Sequence, residues 1–199
     1  MPVQELNRFD LRSLGGSRRI CVISNASGSG KTTLARELSS RLALPYLELD
    51  SLYHQPNWVS AERDVFRAQV SEFIAQDAWV VDGGFLSVIG PLLLERADLI
   101  VWLDLPRRVW LPRLLQRTAR RWWTQEELWN GNRENLREVL VGPDSLIRYA
   151  WRMHSRMKRE LPTTLVPYRV VRLRSAAQVA ALRSAAAAGG GTGPAAVRA

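Results

Sequence analysis

Apolar positions follow two rhythms along the chain. Short runs at 20–23, 46–49, 79–81, 99–103 and 170–173 are bounded by polar or turn-forming residues and read as strands. Between them apolar residues recur three and four apart. Leu34, Ala35, Leu38 and Leu42 share one helical face, and Phe66, Val70, Phe73 and Ile74 share another. Further helices are expected from Pro106, over Glu126 to Val141, from Asp144 as a cap to about Leu161, and from about Ala176. Pro112 lies inside the helix that opens at Pro106 and should kink it or mark a restart. Pro56-Asn57-Trp58 marks a loop. Five strands separated by helices predict an α/β fold in three layers, a five-stranded parallel sheet with helices on both faces. Such sheets bind ligands beyond the carboxyl ends of their strands. Three of the runs end there in Asp50, Asp82 and Asp104. The third is expected to cap the helix after it.

The first strand is followed by Ser-Asn-Ala-Ser-Gly-Ser-Gly-Lys-Thr-Thr at 24–33, and the loop opens a helix. Strand, glycine loop and helix together make a phosphate-binding P-loop. Gly28 and Gly30 let backbone N–H groups turn inward around phosphate oxygens. Lys31 supplies a point charge for the β- and γ-phosphates, and the Thr32 hydroxyl is a Mg²⁺ ligand. Ser27, Ser29 and Thr33 complete the nucleotide-binding stretch, and the helix N-terminus adds its partial positive charge. The motif G-x-x-x-x-G-K-[ST] asks for glycine at position 25, where this chain has Asn25. Asparagine tolerates left-handed backbone, so the loop is expected to form.

Composition narrows the class. The chain has 199 residues, room for one domain with a real core. The expected domain covers 18–184, preceded by an extension at 1–17 and followed by an Ala/Gly tail at 185–199 that is expected to be disordered. No apolar run reaches the length of a membrane span, and residues 1–19 lack the apolar segment of a secretory signal. The single Cys21 sits in a core run, so no disulfide framework forms within one chain and the cytoplasm is the expected compartment. Net charge is +9, almost all from arginine, since Lys31 and Lys158 are the only lysines. Arginine favours bidentate phosphate contacts, which fits nucleotides, nucleic acid or acidic surfaces; solvated helix faces account for it equally well.

The motifs resemble the adenylate-kinase-like small P-loop kinases, a group that includes shikimate and gluconate kinases. They come closest to the adenylate-kinase-related family of DNA topology modulation proteins. The resemblance rests on Ser-Gly-Ser-Gly-Lys-Thr-Thr-Leu-Ala at 27–35, Leu-Asp-Ser-Leu-Tyr-His at 49–54, Pro-Asn-Trp at 56–58 and Trp-Val-Val-Asp-Gly at 79–83. Val-Trp-Leu-Asp-Leu-Pro-Arg at 101–107, Glu-Leu-Trp-Asn-Gly-Asn-Arg-Glu at 127–134 and Val-Arg-Leu-Arg-Ser at 171–175 continue it. It implies a kinase fold with a helical lid at about 113–141, and ATP with Mg²⁺ as donor. Asp82 would hold the metal through water, with Gly83 and Gly84 on the substrate side. Arg113 and Arg117 would contact the ATP phosphates and the phosphoryl group in flight. Arg133 and Arg137 would return from the lid. Asp50 and His54 would form the acceptor site, and Arg174 with Ser175 would flank the adenine. One departure bears on the acceptor: adenylate kinases follow Asp-Gly with an arginine that grips AMP, and Gly84-Phe85-Leu86 offers none.

Phosphoryl transfer needs charge neutralisation and in-line placement. Lys31, Mg²⁺ and the pair Arg113/Arg117 would supply the first, and Asp50 is the candidate base, with loop capping or metal support as its other reading. Trp122, Trp123 and Trp129 can stack a base or ribose, or hold the lid together. The expected activity is transfer of the γ-phosphoryl group of ATP to a nucleotide or small-molecule acceptor. The alternative is an ATP-binding regulator acting on DNA through the basic helix at 148–159, although no nucleic-acid motif is visible. A kinase of a larger partner, or an NTPase subunit, has no positive sign. Neither the acceptor nor the oligomeric state is fixed by sequence.

Overall fold

The computed structural model describes residues 4–5, 16–89, 91–134 and 145–189. The five foreseen strands all form and pair in parallel: β2 (Arg19–Ser24), β3 (Tyr46–Glu48), β4 (Trp79–Asp82), β5 (Leu99–Leu103) and β6 (Val170–Leu173). A two-residue strand, β1 (Gln4–Glu5), adds itself in parallel to β6, so the extension contributes a sixth strand at the edge. The order is β1-β6-β5-β2-β4-β3.

Period-two alternation sorts the strand residues between two cores. Ile20, Val22, Val80, Leu99, Val101, Val171 and Leu173 face one side. There they meet α1 (Lys31–Leu42) and α8 (Ala176–Gly189) through Leu34, Leu38 and Leu182. Cys21, Ile23, Trp79, Val81, Ile100 and Trp102 face the other side. That side is covered by α3 (Arg63–Ile74), α5 (Leu92–Arg96) and the end of α7 (Leu146–Thr164), with Phe66, Val70, Leu93 and Leu161 as the main contacts. The helix face foreseen in α3 is the buried one, and Glu62 caps it by accepting from the amides of Asp64 and Val65.

The connections set the site. β2 has β4 on one side and β5 on the other, so the chain reverses direction across the sheet at β2. The crevice at such a reversal lies beyond the carboxyl end of β2, where the glycine loop follows. The short helices α2 (Leu49–Tyr53) and α4 (Leu86–Ile89), which follow β3 and β4, stand on the same side. The long α6 (Arg107–Thr124) leaves β5 through the cap residue Pro106 and passes over the loop.

Several expectations are revised. α6 is one continuous helix through Pro112, so no restart occurs there, and Trp110 and Leu114 on either side of the proline are buried with Ala26 and Ala150. Residues 126–134 are not helical. They form a loop with one 3₁₀ turn, Trp129–Gly131, in which Asn130 and Gly131 take positive φ of 56° and 77°. The rest of that expected helix, with Arg137, lies outside the described residues, as does Asp144. Ser145 is the cap of α7, its hydroxyl accepting from the Arg148 amide. α8 continues over 185–189, and Ala186 is buried, so helix and packing extend into the stretch assigned to the tail. No helix of the described residues is long and apolar enough to cross a membrane.

Candidate active site

The loop after β2 is shaped by two left-handed glycines, Gly28 at φ 81° and Gly30 at φ 87°. A Cβ on Gly28 would lie 2.6 Å from the Trp110 carbonyl oxygen and 2.9 Å from Leu114, so only glycine lets the loop pass under α6. Gly30 is the N-cap of α1 and offers no side-chain cap, which leaves the first amides of the helix open to an anion. Ser27, Gly28, Ser29, Gly30, Lys31, Thr32 and Thr33 all line one cleft of about 1650 Å³.

Asn25 is not in the left-handed region, so its tolerance of that backbone is not what permits it here. Its side chain is buried, donates to Asp104 Oδ1 and accepts from Trp102 Nε1 at 2.7 Å. Arg172 donates to the other Asp104 oxygen at 2.6 Å and stacks over the Trp102 ring at 4.3 Å. Asp104 is therefore an anchor for the loop, not the expected helix cap.

Lys31 is paired with Asp82 Oδ1, and Asp50 Oδ2 lies 3.9 Å from its ammonium. Burial pulls the Lys31 pKa down, but Asp82 and Asp50 more than reverse it and hold it above the ordinary lysine value. Asp82 is fully buried beneath Lys31 and also accepts from Tyr46 Oη at 3.3 Å. Burial, with Asp82 and Glu48 nearby, pushes the Tyr46 phenol well up. Tyr46 and Glu48, the latter held by Arg36 at 2.8 Å, were not foreseen; a carboxylate and a phenol on a three-residue strand carry no local motif.

Asp50 sits in α2 on the cleft wall, with His54 Nε2 3.8 Å from its other oxygen. Burial lowers the His54 pKa, and Asp50 only partly offsets this. Gly83 and Gly84 line the same wall, and a Cβ on Gly83 would meet Leu49 Cβ at 2.9 Å. Arg113 and Arg117 enter from α6 and line the cleft, with an Arg113 guanidinium nitrogen 4.0 Å from where a Gly30 Cβ would lie. Neither donates to a carboxylate among the described residues. Arg117 Nε is buried without a hydrogen-bond partner. Burial, then neighbouring Arg121, lowers its pKa, and the opposing pull of Glu134, Asp50 and Glu126 does not make up for it.

Other cleft arginines are neutralised. Arg120 pairs with Glu126 at 2.9 Å, Arg121 with Glu134 at 2.8 Å and Arg156 with Glu160 at 2.9 Å. Three expected site residues stay out of the cleft lining: Asp82, fully buried beneath Lys31, together with Arg133 and Arg174. Arg133 is exposed and paired with Glu127 at 2.7 Å. The Arg174 amide donates to Gln178 Oε1 at 2.6 Å, while Ala176, Val179 and Ala180 after it form that wall. Trp122 and Trp123 are exposed and do not reach the cleft; Trp129 does, stacked on His54 at 5.5 Å.

The segment 129–133 earns its place by docking on 51–58. Asn132 Nδ2 donates to the Gln55 carbonyl at 2.9 Å, and its Oδ1 accepts from the Trp58 amide at 2.9 Å. Asn130 Nδ2 donates to the His54 carbonyl at 2.6 Å, and Trp58 Nε1 donates to the Arg133 carbonyl at 3.2 Å. Tyr149, Met153 and Met157 also line the cleft. Their spacing of four on α7 is a signal the sequence carried, obscured by the arginines between them.

Parallel order, glycine loop and paired Asp/Lys at the sheet reversal define the fold of the small P-loop kinases. Among solved structures, the chain is similar to a gluconokinase from Sinorhizobium meliloti at 20% identity and a TM-score of 0.51, covering 87% of this chain and 91% of that one. It is similar to a shikimate kinase from Bacteroides thetaiotaomicron at 17% identity and a TM-score of 0.53, covering 85% and 96%. A shikimate kinase from Acinetobacter baumannii in complex with shikimate has 16% identity and a TM-score of 0.51, with 87% and 93% covered. At these identities the likeness is one of fold. No protein-family model and no curated protein matches the chain.

Proposed function

We propose that the protein is an ATP-dependent phosphotransferase of the adenylate-kinase-like type that moves the γ-phosphoryl group of ATP to a small-molecule hydroxyl. The observation that carries the reading is the pair Arg113 and Arg117, facing the glycine loop without carboxylate partners while the arginines around them are neutralised. A desolvated, unpartnered guanidinium beside a phosphate loop is what a phosphoryl group in flight requires. The fold shared with gluconate and shikimate kinases agrees with it.

The donor half would hold ATP with its phosphates on the loop and the first amides of α1, and its adenine against Ala176, Val179 and Ala180. Among the described residues no group of three carboxylate, histidine or cysteine ligands can hold a metal alone. That donor set fits Mg²⁺, which takes most of its ligands from phosphate and water. Thr32 would ligate it, with Asp82 or Asp50 acting through water, and the ion would neutralise charge on the β- and γ-phosphates. Lys31 would exchange part of its pairing with Asp82 for the phosphates. In transfer, the acceptor oxygen forms a bond to the γ-phosphorus as the bond to the β-phosphate oxygen breaks. That electron pair leaves with ADP, and the hydroxyl proton passes to Asp50. Residues 113–134 would serve as the lid that excludes water.

Calorimetric titration with ATP and Mg²⁺, followed by ADP release in the presence of hydroxyl acceptors, tests the reading. Saturable ATP binding and acceptor-dependent ADP release are expected. A protein that binds no ATP sinks it.

A further inference from the structure

We infer that the acceptor is an uncharged alcohol with a flat or apolar body, not a phosphate- or carboxylate-bearing one. The inference rests on the phosphotransferase reading and names the substrate class of that site. The cleft has two chemically unlike halves. The donor half lies over α1 and α8, beside the phosphate loop. The other half lies over the opposite sheet face, between α2, the segment 83–87 and α7.

Its walls are aromatic and thioether groups: Tyr53, Phe85, Tyr149, Met153 and Met157. Tyr53 packs on Phe85 at 4.6 Å and edge-on against Phe66 at 5.4 Å, so this wall is a fixed extension of the core. Met153 and Met157 stand one turn apart on α7, and flexible thioethers pack against the faces of flat rings. The polar groups on these walls are the Asp50 carboxylate, His54, the Ser87, Tyr149 and Thr164 hydroxyls and the Arg156–Glu160 pair, and the hydroxyls, His54 and Asp50 suit a hydroxyl. An anionic acceptor needs a charge-assisted partner in return for losing water. Among the described residues the cation on this wall is Arg156, and it is occupied by Glu160. Arg117 stands at the boundary, where the transferring phosphoryl group would lie. Asp50 itself repels a second anion. The segment Gly84-Phe85-Leu86 places an aromatic ring where a phosphate-gripping arginine would be needed.

The test uses pairs of acceptors matched except for charge: adenosine and AMP, cytidine and CMP, thymidine and TMP, and methyl shikimate and shikimate. The full chain is assayed with ATP and Mg²⁺ for transfer of labelled phosphate. In pairs that react, the uncharged member should have a kcat/KM at least tenfold higher. Equal use, or preference for the anion, overturns the inference. If no pair reacts, binding is measured with the β,γ-imido analogue of ATP bound. Tenfold tighter binding of the uncharged members upholds the acceptor class while the phosphotransferase reading falls. Equal binding, tighter binding of the anions, or no binding of any overturns the acceptor class. Met153→Arg puts a cation on the wall and should shift the kcat/KM ratio of a reacting pair, or the affinity ratio, at least tenfold toward the anion. A folded variant with an unchanged ratio overturns the assignment of that wall to the acceptor.

Discussion

At the scale of single residues, the useful distinction is between polar groups that hold the protein and polar groups held in reserve. Arg117 belongs to the second kind. Burial and Arg121 outweigh the pull of Glu134, Asp50 and Glu126 on its guanidinium, and its Nε has no hydrogen-bond partner, so the charge costs stability in place of adding it. Arg117→Ala is therefore expected to lower kcat by about a thousandfold, the scale set by removing an arginine from a phosphoryl-transfer site. Its thermal midpoint should be unchanged or higher, and a large fall in that midpoint would show that the arginine is structural. Asn25 belongs to the first kind. Asn25→Gly restores the glycine of the common motif but leaves Trp102 Nε1 and an Asp104 oxygen buried without partners. A loss of about 2 kcal/mol in urea unfolding is expected, the cost of stranding such groups. ATP affinity should change less than tenfold, because the phosphate-facing amides belong to residues further along the loop.

At the scale of elements, the narrow motifs are explained by each other. Leu-Asp-Ser-Leu-Tyr-His-x-Pro-Asn-Trp and Trp-Asn-Gly-Asn-Arg are two halves of one clasp, joined by side-chain amides to backbone groups more than 70 residues away. Asn132→Ala removes a donor from the Gln55 carbonyl and the acceptor of the Trp58 amide. The Trp58 amide should then exchange with solvent about tenfold faster or more, a local loss on the order of 1–2 kcal/mol. KM for the acceptor should rise while ATP affinity stays unchanged, and unaltered exchange at Trp58 would sink the clasp. The same elements mark how far the sequence could be read. The strands were legible because β2, β4 and β5 are buried on both faces and so appear as unbroken apolar runs. The glycine loop and Lys31 were legible from spacing, whereas Arg113 and Arg117 were singled out by the resemblance to small kinases. The clasp was not: Leu128 and Trp129 mimic a helical period, and only the left-handed Asn130 and Gly131 reveal a turn. Nor could spacing tell Arg117 from Arg133, because which arginine finds a carboxylate is decided in three dimensions. Likewise, nothing local showed that Asp104 anchors Asn25.

At the scale of the whole molecule, Arg19, Arg36, Arg120, Arg121, Arg156, Arg172 and Arg183 each pair with a carboxylate and cancel it, so the +9 net charge is carried by the other basic residues. One pair matters more than these. Lys31 and Asp82 join the glycine loop to the centre of the sheet, with Asp82 on β4 and no part of it exposed to water. Replacing the lysine, the common way to disable such a loop, here removes the counter-ion of a buried carboxylate. Breaking a buried pair from one side costs about 3–5 kcal/mol. For a chain of this size that is a fall of about 10 °C in the thermal midpoint. Lys31→Met should thus lose ATP binding and stability together, and its inactivity alone would say nothing about phosphate. Adding Asp82→Asn separates the two, because the amide can keep the Tyr46 contact without a charge to neutralise. The double variant should recover most of the lost midpoint and still bind no ATP. If it stays as unstable as the single variant, the two residues do not act as a pair. If it binds ATP normally, Lys31 holds the sheet and does not contact phosphate.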